Sequence, residues 1–345
     1  MKPAALELIS IQSSESLKLR SPMVDPATEV ATRMLAQVMD YRRVPHAGDL
    51  CGNSECQTCA SFHLPKIISA VRRNEPVTFV LPAFPGKSPN PEKVLGALPD
   101  YAEQLALQFL GNLGQQVRQY YSPGIKIILC SDGRVFSDLV GMKESNVTAY
   151  QSGLSGLIGE LQLSDIETFN MDDFYGELSF NQMRDELMKR YGSSLDFLKH
   201  KVRNGMAELA TAEEQGAHRM YCGITRFLFE DSLHAGQTKS RSAIQKESRL
   251  KAYEVIRRSN AWSELIAERF PDAVRLSIHP QTCGSAKLGI RLVGNESWMT
   301  PWHGVAVETA KGFVLLKKSE AETLGAELIY SSGGQPSRYK LRGEL

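Results

Sequence analysis

The chain has 345 residues, with 40 basic against 39 acidic side chains and a net charge of +1. Hydrophobic residues make up 42% and charged residues 23%, the balance of a globular chain with a sizeable core. That composition argues against a disordered chain, a coiled coil or a collagen-like rod. With no overall field to steer nucleic acid or an anionic membrane, any basic site must be local.

Residues 1–24 carry little periodicity, lack an apolar signal-peptide core, and read as a flexible N-terminal arm. No stretch approaches the ~20 apolar residues that span a bilayer. Six cysteines are too few for a disulfide scaffold, so the expected compartment is the cytoplasm. Asp25-Pro26 opens a helix through about Tyr41. Residues 44–62 read as a polar loop, followed by a short helix near 64–74. Val77–Leu81 is a compact apolar run, hence a buried strand. Residues 82–91, rich in proline, cannot be helical.

Ala102, Leu105, Ala106, Phe109, Leu110, Leu113 and Val117 repeat at helical spacing and predict a helix over 102–121. Pro123-Gly124 ends it, and Ile125–Leu129 is the next strand. Strand, helix and strand in this order predict a parallel pair joined by a crossover. Ligands then belong outside the strands' carboxyl ends, at residues 82–90 and 131–138. The middle, 144–270, reads as largely helical. Beyond Pro271, strands are expected at 274–278, 288–293, 305–308 and 312–316. The predicted fold is α/β: a Rossmann-like, mainly parallel sheet flanked by helices, with a helical middle insertion and a β-rich C-terminal part. Residues 25–345 are read as a single domain.

Gly86-Lys87-Ser88 ends like a P-loop, but Leu81 stands where the pattern needs glycine and Pro89 blocks a helix start. Lys87 is either a solvated loop lysine or a ligand group at a strand end; as a ligand group, its loss would impair turnover and barely change stability. Ser131-Asp132-Gly133-Arg134 with Ser137-Asp138 is either a capped turn or an anion-holding, proton-moving segment. Arg275, Ser277 and His279 alternate, so they share one side of a strand. Trp298, Trp302 and His303 form either a rim of the core or an aromatic wall beside an acid/base.

Cys51, Cys56, Cys59 and His63 offer soft metal donors, but a second well-spaced pair is missing; unpaired thiols are the expectation and a metal the alternative. Gly153-Leu154-Ser155-Gly156 misses the nucleophile elbow at Leu157. The basic run from Lys239 to Arg258 reads as the solvated side of a helix, with no nucleic-acid partner.

Leu81–Asn90, Lys93–Asp100, Ser131–Asp138, Arg258–Ser263, Arg275–Pro280 and Thr300–His303 together resemble the isonitrile (isocyanide) synthase family of the pyoverdine/dityrosine biosynthesis type, in register over about 76–310. The resemblance implies an enzyme of secondary metabolism. It would join the α-amine of an aromatic L-amino acid to the C2 carbonyl of ribulose 5-phosphate and fragment the adduct. That carbon would become the isonitrile carbon. Tyrosine is the preferred substrate and tryptophan the alternative; a phosphosugar-binding protein without turnover is the other reading. No cofactor and no metal are expected, and the partners are the two small-molecule substrates, with a downstream oxygenase acting on the product. On this resemblance Lys87, Asp132, His279 and Asp138 are the catalytic candidates. Ser88, Asn90, Ser131, Arg134, Arg275, Trp302 and His303 are the substrate-binding candidates.

Overall fold

The computed structural model describes residues 25–44, 56–293 and 299–342. The 1–24 arm, Cys51 and Trp298 therefore lie outside the described residues. Five parallel strands make the main sheet: β1 (Val77–Leu81), β2 (Ile125–Cys130), β3 (Ile166–Phe169), β4 (Val274–Ser277) and β5 (Leu288–Gly289), in the order β3-β2-β1-β4-β5. The expected pairing holds residue for residue, from Val77 beside Ile125 to Leu81 beside Leu129.

Alternation decides which side chains meet which helices. Phe79, Leu81, Ile127, Leu129, Val274 and Leu276 pack into one buried cluster with α1 (Pro26–Met39), α2 (Gln57–Arg72), α3 (Tyr101–Arg118) and α5 (Glu144–Glu160). Val80, Ile128 and Cys130 face the other way. They meet α4 (Gly133–Val140), α6 (Met171–Tyr175), α7 (Phe180–Tyr191) and α10 (Arg241–Arg269), with Trp262 at the centre. Burial on both faces is why these strands are continuous apolar runs.

α8 (Leu195–Asn204) and α9 (Ala212–Asp231) pack on α10 and complete the helical middle. A second, mixed sheet follows: β6 (Val305–Thr309), β7 (Gly312–Leu316), β8 (Glu327–Tyr330) and β9 (Pro336–Lys340), order β7-β6-β9-β8, with α11 (Lys318–Thr323) between β7 and β8. Ala306 and Leu315 of this sheet pack on Ala102 of α3, so α3 is shared by the two sheets. Among the described residues no helix is long and apolar enough to cross a membrane.

Several boundaries differ from expectation. The crossover helix starts at Tyr101 and stops at Arg118, because Asp100 and Glu103 form a reciprocal capping box at its start. Residues 57–63 are helical, so Cys59 and His63 sit on α2 and not in a loop. β5 is only two residues long, followed by an isolated bridge from Ile290 to Arg42. Residues 133–138 are the first turns of α4. Gly133 is obligatory there, since a Cβ would stand 1.8 Å from the carbonyl oxygen of Pro85. That approach brings the loops after β1 and β2 into contact. Residues 153–156 lie inside α5, and 241–258 inside α10, where Lys251 and the preceding Lys239 both pair with Glu247.

Candidate active site

The loop after β1 carries Lys87 inward. Its ammonium has no exposed surface and lies 2.8 Å from Asp100 Oδ2 and 2.7 Å from Glu103 Oε2; it also donates to the Pro301 carbonyl at 3.1 Å. Burial opposes the charge, and Asp100 and Glu103 more than offset that, so Lys87 titrates above the ordinary lysine value. Tyr150 donates its hydroxyl to Glu103. Lys87 is thus not a solvated loop lysine: the two carboxylates of the next helix hold it, and its replacement is expected to cost stability.

Asp132 stands two residues past the end of β2 and occupies the N-cap position of α4, yet its side chain makes no capping bond. Its Oδ1 is buried without a partner, and burial pushes the carboxyl up from 3.8 to about 7. A carboxyl poised near neutrality can both accept and return a proton. His279 lies just past β4; burial, Arg43 and Lys287 lower it to about 4, so it is a neutral imidazole at pH 7.

Around His279 positive charge accumulates. Lys287, just before β5, is lowered to about 8 by burial and by Arg275. Arg43 is lowered by burial and by Arg291, and Arg275 by burial. Arg275 lies in β4 beside Val80 and reaches Ser263 of α10; Lys287 donates to the same hydroxyl at 2.8 Å. Arg275, Lys287, His279 and Arg43 therefore form one linked electrostatic group at the carboxyl edge of the sheet, and Asp132 and Arg275 both act on the Cys130 thiol. Sequence reading missed Arg43 and Lys287; the position of Lys287 immediately before an apolar strand start was the available signal.

A second patch adjoins it. His303 is also lowered to about 4, chiefly by burial, and feels Asp231, Lys93, His279 and Lys87. Its Nδ1 is 2.9 Å from Thr300 Oγ1, and its ring packs on Phe227 at 4.8 Å. Lys93 and Asp231 form a buried ion pair, also missed from sequence. Asp231 further lines a cleft of about 180 Å³ bounded by α4, α9 and α10.

The remaining candidates are placed differently from expectation. Trp302 is 1% exposed and tilts against Phe84, a core wall and not an open aromatic face. Ser88 accepts from the Asn90 amide, while the side-chain amide of Asn90 closes the end of α9 through the carbonyls of Glu230 and Leu233. Ser131 donates to Phe84 O. Arg134 is paired with Asp172 at 2.6 Å and stacked over Phe180. Asp138 is exposed and held by Arg258 at 2.7 Å and Arg184 at 3.5 Å, which makes it a clamp between helices. Ser277 lies at the end of β4 and accepts from the His279 amide.

A family model described as "Pyoverdine/dityrosine biosynthesis protein" matches residues 67–329. The chain belongs to that family, the isonitrile synthases of the pyoverdine/dityrosine type. It is 43% identical to an L-tryptophan isonitrile synthase of Fischerella ambigua, over 88% of this chain and 90% of the relative. It is 42% identical to the L-tyrosine isonitrile synthase of Pseudomonas aeruginosa, over 90% and 93%. The crystal structure of the PvcA protein from Pseudomonas aeruginosa superposes with a TM-score of 0.83 at 41% identity, covering 90% of this chain and 99% of that one.

Replacing Lys87 by Met leaves Asp100 and Glu103 buried without their cation, and denaturant unfolding should show a loss of about 3–5 kcal/mol. Unfolding within about 0.5 kcal/mol of the parent would contradict the ion triad. Asp132 gives a pH-dependent signature. Because its folded pKa is raised, the stability it contributes is complete below 3.8 and is lost as pH rises through about 7. Asp132→Asn should therefore gain stability relative to the parent between pH 5 and pH 8. It should also lose about 10²-fold or more in kcat/KM, together with the inflection near pH 7. Normal rates, or a parallel pH–stability curve, would remove Asp132 from this role.

Proposed function

We propose that this isonitrile synthase acts on an aromatic L-amino acid and takes its isonitrile carbon from ribulose 5-phosphate. The observation that carries the reading is the cluster of Arg43, Arg275, Lys287 and His279 at the carboxyl edge of the sheet, with Asp132 in the loop after β2. Burial, and behind it the mutual opposition of these cations, lowers Lys287 and His279. A phosphate or carboxylate bound among them reverses that opposition and gains charge-assisted hydrogen bonds.

In this reading the phosphate of the sugar is held by Lys287 and Arg43. Arg275, with one edge tied to Ser263, faces the amino-acid carboxylate. The α-amine attacks the C2 carbonyl, water leaves to give the imine, and the adduct fragments with release of phosphate and the remaining sugar carbons. Asp132 takes and returns protons at the condensing centre because its carboxyl sits near neutrality. Neutral His279 serves as the second proton carrier. Lys87 acts through position, holding the 82–100 loop against Pro301 and hence the segment that bears His303.

Relatives named for tryptophan stand at 43% and 41% identity, and those named for tyrosine at 42% and 40%. The proposal is therefore set at the aromatic class, with both amino acids as arms of one test. Ribulose 5-phosphate labelled with ¹³C at C2 is incubated with each, and products are read by mass spectrometry. The expected result is an isonitrile one mass unit heavier than the unlabelled product, with phosphate released. Lys287→Gln should lower kcat/KM for the sugar by about 10- to 100-fold, the worth of one hydrogen bond to a charged group. Saturable sugar binding without product would leave a phosphosugar-binding protein. An unlabelled isonitrile would replace the carbon donor.

A further inference from the structure

The thiols of Cys56, Cys59 and Cys283 all lie within 4.8 Å of one another. Cys56 and Cys59 sit at the N-cap and third positions of α2. Cys283 comes from the loop between β4 and β5, 227 residues along the chain from Cys56. The Cys56 and Cys283 sulfurs are 3.5 Å apart. A disulfide bond needs ~2.05 Å, whereas two sulfurs at ~2.3 Å from a shared tetrahedral zinc stand about 3.8 Å apart.

The surroundings favour thiolates. Cys59 Sγ accepts from Arg42 Nη1 at 3.2 Å and from the Gly284 amide at 3.4 Å. N–H donors aimed at a ligating sulfur orient it and spread its charge. Gly284 takes φ +73°, the left-handed turn that swings its amide back to the sulfur of another ligand. The helix start at Cys56 adds a partial positive charge beside all three sulfurs.

We propose that Cys56, Cys59 and Cys283 hold a zinc ion that fastens the start of α2 to the β4–β5 loop. Zinc prefers sulfur donors in structural sites, and three thiolates supply three of its four tetrahedral positions. His63, lower on α2, is not part of this trio. The site was hidden from sequence because a Cys-x2-Cys half-site found its partner in a distant loop. That loop also carries His279 and Lys287. Arg42 reinforces the fastening by donating to the Gln281 and Thr282 carbonyls at 3.5 and 3.3 Å. The inference stands independently of the substrate proposal, because it rests on sulfur geometry and is read by metal content.

The test uses the full chain, purified without chelator from zinc-supplemented medium and measured by inductively coupled plasma mass spectrometry. About one zinc per chain is expected, falling below about 0.2 in Cys59→Ser and Cys283→Ser. Cys222→Ser, an exposed thiol on α9, should keep its zinc. In case a variant fails to fold, the parent is stripped of metal and loaded with cobalt(II). A thiolate-to-cobalt charge-transfer band then supports the site, and its absence overturns it. Metal-free parent protein that takes up no zinc, zinc retained in both serine variants, or a Cys56–Cys283 disulfide in native peptide maps would each overturn it as well.

Discussion

A lysine with no exposed surface can stay charged only if the protein surrounds it with negative charge, and Lys87 does so with Asp100 and Glu103. Those carboxylates are at the same time the capping box of α3. One ammonium therefore fixes the loop after β1, the start of the crossover helix and, through Pro301, the turn that leads to His303. α3 in turn packs against both sheets. Without this triad the carboxyl edge of the parallel sheet would have no fixed wall.

Against that wall the chain sets two opposite electrostatic environments. Lys87 is fully paired, and its charge is spent on structure. Lys287 and His279 are lowered chiefly by burial, and further by the cations around them: Arg275 for Lys287, Arg43 and Lys287 for His279. Asp132, which acts on the Cys130 thiol, is held near neutrality by burial. A fold that gathers cations at one edge of a sheet gives up stability for a site ready to receive an anion. The other cations named from sequence do not share this property: Arg134 is satisfied by Asp172.

Much of the fold was legible because β1 and β2 are buried on both faces, and burial on both faces leaves an unbroken apolar run. β3 escaped notice because Ile166–Phe169 is a four-residue edge strand with Glu167 exposed. β8 and β9 escaped because most of their side chains are partly or fully exposed. Asp132 and His279 could be picked out since each follows such a run, at the edge where parallel sheets bind ligands. Lys87 was picked out for the same reason, but its ion pairs could not be, because its partners lie in the next helix and carry no local mark. Asn90, Arg134 and Asp138 show the same limit: hydroxyl, amide and ionic groups near a strand end also close helices and join them. Arg43, Lys287 and Cys283 could be assembled only by the fold.

The account turns on whether the cation group receives a phosphate. Binding of ribulose 5-phosphate and of unphosphorylated ribulose is compared by isothermal titration calorimetry at pH 8.5, in buffers of different ionisation enthalpy. An anion beside Lys287 raises its pKa from about 8, so proton uptake should accompany binding of the phosphorylated sugar. That sugar should also bind at least about tenfold more tightly, the effect of one charge-assisted contact. Equal affinity for the two sugars, or binding with no proton uptake, would contradict the account.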